Sequence, residues 1–330
     1  MRKLPVTIVT GFLGAGKTSL VRHLLANSHR RIALLINEFG ELGIDRELLL
    51  ACDACAEDEI IELANGCICC TVAEDFLPAL TRLLDGGKPP DHIVVETSGL
   101  ALPKPLLQAF HWPEIKARVT VDGVASVIDA GAFAAGAMTA SSRPGFSAHD
   151  DPLDEVFGDQ LAASDIVVLN KTDLVEASVL DKAERALAAR LRPGVRIVRA
   201  SHGAVSALAL LGLAAAAEDD LASRPSCHDF AEAHDHDDFE SFVLARGPVS
   251  DPARFVEKLS DVMARHGVLR LKGFLDVPGM AFRQVVQAVG PRVERYFDRP
   301  WRHGEDRLSR LVVIGLKGLD RAAIHASLAS

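Results

Sequence analysis

The chain has 330 residues, 48% of them hydrophobic, and a formal net charge of −9 at neutral pH. That length exceeds one ordinary domain, so two are expected, and the acidic balance leaves no general basic surface for a nucleic-acid backbone. No apolar run approaches the roughly 20 residues of a membrane-spanning helix, and six cysteines are too few for a disulfide-built fold, so their grouping matters more than their number.

Met1 to Pro5 leads directly into a strand pattern without an apolar leader, from which a cytoplasmic location is expected. Short apolar runs then alternate with helical patterns over the first 200 residues. The predicted strands are Val6 to Thr10, Ile32 to Ile36, His92 to Glu96, Val124 to Ile128, Ile166 to Leu169 and Arg196 to Val198. Continuous rather than alternating hydrophobicity, as in Ile93, Val94 and Val95, marks strands covered on both faces, so the sheet should be mainly parallel. An Ala- and Leu-rich stretch at 205–223 reads as the closing helix of this α/β domain, placed at 1–223. A linker rich in His and Asp is expected at 224–238, and a smaller α+β domain at 239–330. In that second domain the order reads strand, helix (Pro252 to Arg265), strand (Leu269 to Val277), strand (Met280 to Val289), helix or loop, strand (Arg310 to Gly315) and closing helix.

The first strand ends in Gly11-Phe-Leu-Gly14-Ala15-Gly16-Lys17-Thr18, a G-x-x-x-x-G-K-T loop. The helix that follows carries Leu20, Val21, Leu24 and Leu25 on one stripe. Strand before and helix after are the context in which such a loop binds phosphate. Backbone N–H groups from Gly11 to Ser19 close around the oxygens, Lys17 adds a point charge, and the Thr18 hydroxyl can ligate Mg²⁺. Asn170-Lys171-Thr172-Asp173, directly after the strand ending at Leu169, selects guanine. A carboxylate at Asp173 accepts both the N1–H and the exocyclic amine of that base, and adenine offers no such donor pair. Glu96-Thr97-Ser98-Gly99 stands where GTPases carry D-x-x-G; the Glu96 carboxylate can hold a Mg²⁺ water and the Gly99 N–H can sense a γ-phosphate. Ala200-Ser201 offers a last base contact.

Cys67-Ile-Cys69-Cys70 gathers half of the cysteines into four residues. Thr71-x-x-Glu74 reads as a capping box ahead of Phe76, Leu77, Leu80, Leu83 and Leu84, which sets Cys70 at a helix N-terminus, where the thiolate that binds metal is favoured. Three thiolates suit a tetrahedral ion with one position open for exchange. Glu38 and Glu41, in Asn37-Glu-Phe-Gly-Glu41 after the second strand, occupy the region where GTPases place the loop that reorders with γ-phosphate, and either can reach Mg²⁺ or the transported ion. Cys52 and Cys55 are half of a zinc-type motif. Cys227, His228, His234 and His236 can load ions loosely or simply be solvated. His111 and Trp112 read as packing residues.

Taken in order, GFLGAGKT, NEFGELGID, NGCICC, ETSGLALP and NKTD resemble the CobW family of P-loop GTPases, metallochaperones with a C-x-C-C motif. The likeness spans essentially the whole chain, including VLRLKGFLDVPG and RLVVIG near its end. The resemblance implies GTP and Mg²⁺ at Lys17 and Thr18, base reading by Asn170 and Asp173, and metal at Cys67, Cys69 and Cys70, with Glu38 and Glu41 in supporting roles. Two segments, AEDEIIELANGCICC and ETSGLALPKPLLQAFHWPEI, are most similar to the branch of aerobic cobalamin biosynthesis. That implies Co²⁺ delivered to a cobaltochelatase, with Zn²⁺ and another metal-requiring client as the alternative. A regulatory GTPase acting through a protein partner is the alternative of another class, and a dimer dependent on nucleotide or metal is left open.

Overall fold

A computed structural model describes residues 3–37, 60–63, 76–86, 90–136, 152–226, 229, 239–290 and 292–329. The chain forms two compact units.

The first unit is built on seven parallel strands, β1 (Leu4–Thr10), β2 (Ile32–Ile36), β3 (Ile60–Glu62), β4 (His92–Glu96), β5 (Val119–Asp129), β6 (Ile166–Asn170) and β7 (Arg196–Arg199). Their spatial order is β3-β2-β4-β1-β5-β6-β7, with β1 between β4 and β5. Every residue of β2, β4 and β6 is buried, which is why these stretches read as unbroken apolar runs. The helices are α1 (Lys17–Asn27), α2 (Leu77–Asp85), α3 (Pro103–Ala109), α4 (Pro113–Lys116), α5 (Ala130–Ala134), α6 (Pro152–Ala163), α7 (Ala177–Ala188) and the short α8 (Ala207–Leu210). One core joins Val6, Ile8, Leu35, Ile93 and Val95 of the sheet to Leu80, Leu106 and Leu107 of the helices and to Phe110 just past α3, and Phe76 meets Phe110 edge-on at 5.5 Å. Burying each such aliphatic side chain contributes about 1.5–3 kcal/mol. Trp112 packs against this core and His111 Nε2 lies 2.6 Å from the Glu218 carbonyl, so both act in packing.

Two local features differ from the sequence expectation. The strand β3 has no counterpart in the sequence reading, because three residues are too short for a periodicity to register. The stretch 205–223 is not one helix. After α8 the chain turns at Gly212, Ala214 and Ala216, all at positive φ, and resumes as the 3-10 segment Ala217–Ser223. Asp122 causes this: its buried carboxylate accepts the N–H groups of Gly212, Leu213 and Ala214, and Glu218 then ties the return to Thr120 and Val121 of β5. The described residues of the stretch read as a linker, 224–226 and 229, pack against the sheet unit. Arg224 is buried and pairs with Asp165 at 2.7 Å, Ser226 donates to Asp159, and Asp229 pairs with Lys104.

His92 opens β4 fully buried, 2.8 Å from the Thr7 hydroxyl. Burial pushes its imidazole down to about 4, which nearby Asp122 only partly opposes and Arg30 assists.

The second unit is an antiparallel sheet of β8 (Phe239–Arg246), β9 (Val268–Leu275), β10 (Phe282–Val289), β11 (Arg292–Pro300) and β12 (Ser309–Leu316), in the order β11-β10-β9-β12-β8. The helices α9 (Pro252–His266) and α10 (Arg321–Ala329) share its core through Phe255, Leu259, Val262, Ile324 and Leu328. Asp251 caps α9 by accepting from Ala253 and Arg254, and Gly267 ends it in the left-handed conformation. The segment expected to be helix or loop is the edge strand β11. Four consecutive residues, Glu294 to Phe297, are exposed, so no alternation of apolar and polar betrays the strand. Within it Asp298 clasps Arg283, whose guanidinium is 1% exposed and lies 3.5 Å above the Phe274 ring.

Candidate nucleotide-binding site

All the chemistry-bearing residues of the sheet unit that the structure describes lie where parallel strands end. The loop after β1 turns at Gly11, at φ +132, and a Cβ there would stand 2.2 Å from the Val127 carbonyl. Gly16 enters α1 at φ +103, where a Cβ would fall 2.3 Å from Asn170 Nδ2. Both positions therefore demand glycine for backbone and for space. Lys17 is buried; its ammonium donates to the carbonyls of Gly11 (2.8 Å) and Phe12 (3.2 Å), so it curls back over the loop it would charge. The first turn of α1 holds no acidic residue, leaving its N–H groups and the positive end of the helix facing an anion.

On one side, the Thr18 hydroxyl donates to Glu96 Oε1 at 2.8 Å, joining the start of α1 to the end of β4. Glu96 is 3% exposed. A hydroxyl and a carboxylate held together are the donor set expected around Mg²⁺ in such sites, and Thr18 and Glu96 fit that ion. Gly99 follows against the phosphate loop, with a Cβ position only 2.7 Å from the Leu13 nitrogen, so this position has no room for a side chain.

On the other side, Asn170 is a buried strut. Its Nδ2 donates to the Ala15 carbonyl at 2.9 Å and its Oδ1 accepts from the Gly203 N–H at 3.0 Å, locking phosphate loop, β6 end and the turn after β7 together. Lys171 adopts φ 58 and pairs with Asp129 at 3.2 Å, while Asp173 is a third exposed in the 3-10 turn Thr172–Leu174. Thr172 fixes that turn to Ala200 and Ser201. The Asp173 carboxylate is thereby presented outward, with His202 Nε2 3.7 Å away. Asp129 was not singled out from the sequence. An acid closing the apolar run of β5, beside Asn170 in register, was the available signal.

The cysteine motif Cys67, Cys69 and Cys70, the acids Glu38 and Glu41, and Cys52, Cys55, Cys227, His228, His234 and His236 lie outside the described residues. Among the described residues no cluster of three or more His, Cys, Asp or Glu side chains could hold a metal ion, and no helix is long and apolar enough to cross a membrane.

Residues 5–199 match the family model for the nucleotide-binding domain of CobW/HypB/UreG, and residues 239–330 match the cobalamin synthesis protein cobW C-terminal domain. A zinc chaperone CobW from a Sinorhizobium species is 50% identical over 99% of this chain and 96% of its own. A zinc chaperone CobW from Pseudomonas aeruginosa is 49% identical over 98% and 90%, and the zinc chaperone YjiA of Escherichia coli 31% identical over 100% and 99%. With a phosphate loop, a Thr–Glu pair and an Asn-Lys-x-Asp turn on one sheet edge, and both family domains matched in order, the chain belongs to the CobW family of nucleotide-binding proteins.

Proposed function

We propose that this chain is a GTP-dependent metallochaperone of the cytoplasm, which binds a thiophilic divalent ion at Cys67, Cys69 and Cys70 and releases it to a client protein on hydrolysis. The observation that carries the nucleotide half is the spatial order along one sheet edge: Glu96 with Thr18, the phosphate loop with Lys17, then Asn170 and Asp173. A nucleotide laid across that edge has its terminal phosphate at β4 and its guanine at β6.

In the cycle, Lys17 exchanges its loop carbonyls for phosphate oxygens, and the N–H groups of Gly14, Ala15, Gly16 and Ser19 hold the bridging phosphates. Thr18 and Glu96 would hold Mg²⁺, which supplies neutralising charge to the phosphates. Asp173 accepts from the guanine ring, and Lys171, tied to Asp129, holds the turn that aims it. Water attacks the γ-phosphorus, the bond to the bridging oxygen breaks, and GDP and inorganic phosphate leave separately. The segment from Glu38 to Glu41 couples this event to the cysteines, so that the ion is held more tightly with GTP than with GDP. Reciprocity then requires the ion to strengthen GTP binding by the same factor.

Zn²⁺ is the favoured cargo, supported by the names of the two full-length relatives near 50% identity and by the stronger preference of thiolates for zinc over cobalt. Co²⁺ delivered to a cobaltochelatase is the second reading. It is supported by the likeness of the segments around Cys67 and Glu96 to the cobalamin branch. Competition against a chromogenic chelator, with each ion in turn and with a non-hydrolysable GTP analogue or GDP, tests both. At least a tenfold tighter hold in the GTP form is expected for the true cargo; equal hold with both nucleotides for both ions would sink the coupling.

A further inference from the structure

Asn37 follows β2 directly and is 2% exposed, yet neither its Oδ1 nor its Nδ2 has a hydrogen-bond partner. An amide stranded in this way costs stability, since each of its two polar atoms has lost water without gaining a partner. Natural folds rarely keep such a group in a core without a use for it.

Its position indicates the use. The Asn37 N–H donates to the Glu96 carbonyl at 2.9 Å, so it extends the β2–β4 ladder by one residue past the strand end. On the same edge Glu96 holds Thr18, Thr97 donates to Thr10, and Gly11 begins the phosphate loop one residue later. Taking the strands in order, β6 carries the proposed base contacts, β1 the phosphate loop, β4 the Thr18–Glu96 pair, and β2 lies beyond β4 on the side away from the base. Asn37 is thus a described side chain at the γ-phosphate end of the edge with hydrogen-bonding capacity in reserve, and unlike the Glu96 carboxylate beside it the amide offers a donor as well as an acceptor.

We propose that the Asn37 amide positions the attacking water against the terminal phosphate of bound GTP, an inference that rests on the nucleotide reading above. The amide matches this task because it offers one acceptor and one donor side by side. Oδ1 accepts a hydrogen bond from the water, leaving an oxygen lone pair directed at phosphorus, and Nδ2 donates to a γ-oxygen as charge develops there. It moves no proton itself. Neither bond exists with GDP, so the contribution is confined to the triphosphate state and to the transition state that follows. A hydrophobic side chain of the same shape would relieve the stranded amide and lose the water.

The test uses the full chain with Asn37→Leu, and Asn37→Ser as a second variant of smaller volume. Three quantities are read: the thermal midpoint without nucleotide, the affinities for GDP and for a non-hydrolysable GTP analogue, and single-turnover GTP hydrolysis. The expected result for Asn37→Leu is a midpoint equal to or above the original protein's. GDP affinity should stay within about twofold, while hydrolysis falls by roughly 10²-fold, the size of one positioning contact in a transition state. The analogue should lose affinity relative to GDP in both variants. Hydrolysis unchanged in both variants overturns the proposal. So does a parallel loss of midpoint and of affinity for both nucleotides, which is the signature of a packing role. If the original protein binds neither nucleotide, the nucleotide reading fails, and with it the premise of this inference.

Discussion

Replacing Asn170 by alanine is expected to uncouple the phosphate loop from the base-recognition turns. Asn170 is 1% exposed, and its amide joins the Ala15 carbonyl at 2.9 Å to the Gly203 N–H at 3.0 Å. Each of these hydrogen bonds contributes about 0.5–1.5 kcal/mol net, and each partner left buried without a bond costs about 1–3 kcal/mol. Allowing for partial relaxation, the loss should be about 2–4 kcal/mol. Even the lower figure corresponds to roughly a thirtyfold change in an equilibrium constant. Because the strut spans the loop that receives phosphate and the turn that presents Asp173, part of this loss should appear as weaker GDP binding rather than as global instability. Urea unfolding of the sheet unit within the full chain and calorimetric titration with GDP would read the two parts. Asn170→Asp is the control, since it keeps the acceptor for Gly203 but sets a carboxylate oxygen against the Ala15 carbonyl. It should be at least as damaging as alanine. If Asn170→Ala changed both stability and GDP affinity by less than about 0.5 kcal/mol, the strut would have no energetic content and the argument would fail.

Three more outcomes follow from the same geometry. His92 has a folded-state pKa near 4 against 6.5 unfolded, so its neutral form is favoured by folding; the contribution is complete above pH 6.5 and is lost as pH falls from 6.5 towards 4. Its size is about 3 kcal/mol, and His92→Gln should flatten the pH dependence of unfolding of the sheet unit across that window. Glu305, held down to about 2 chiefly by its hydrogen bonds to Arg299, contributes fully above pH 4.5 and loses its share only as pH falls from 4.5 towards 2, so acid unfolding of the second unit should begin lower. In that unit Asp298→Ala removes the clasp from the buried Arg283 guanidinium, which keeps Glu305 at 3.7 Å, and should cost about 1.5–3 kcal/mol in urea unfolding, much of it recovered by adding Arg283→Met. A loss below about 1 kcal/mol in the single variant would show that the pair does not hold the β10–β11 edge.

The nucleotide edge was legible because each of its parts is local. The glycines around Lys17 are required by φ and by space within a few residues, and unbroken apolar runs mark β2, β4 and β6 without knowledge of their neighbours. The guanine assignment came from the chemistry of Asn170 to Asp173 and the cysteine site from the grouping of Cys67, Cys69 and Cys70; the family likeness, carried by short motifs in fixed order, implied the same two, and the cysteines lie outside the described residues. What sequence could not convey depends on partners far along the chain. Asp122 bends an Ala-rich stretch out of helix by collecting N–H groups about 90 residues away, although helix propensity there is high. Arg224 docks on Asp165 across 59 residues, within a stretch whose composition reads as solvated linker, and β11 is a strand through its ladder to β10 rather than by any alternation of its own. Asn37 is the sharpest instance. As a residue type it is unremarked beside Glu38, and only its burial, its missing partners and its place next to Glu96 make it a functional group. Local steric and periodic rules are written in neighbouring residues, whereas the satisfaction of a buried polar atom is decided by whichever distant groups the fold brings to it.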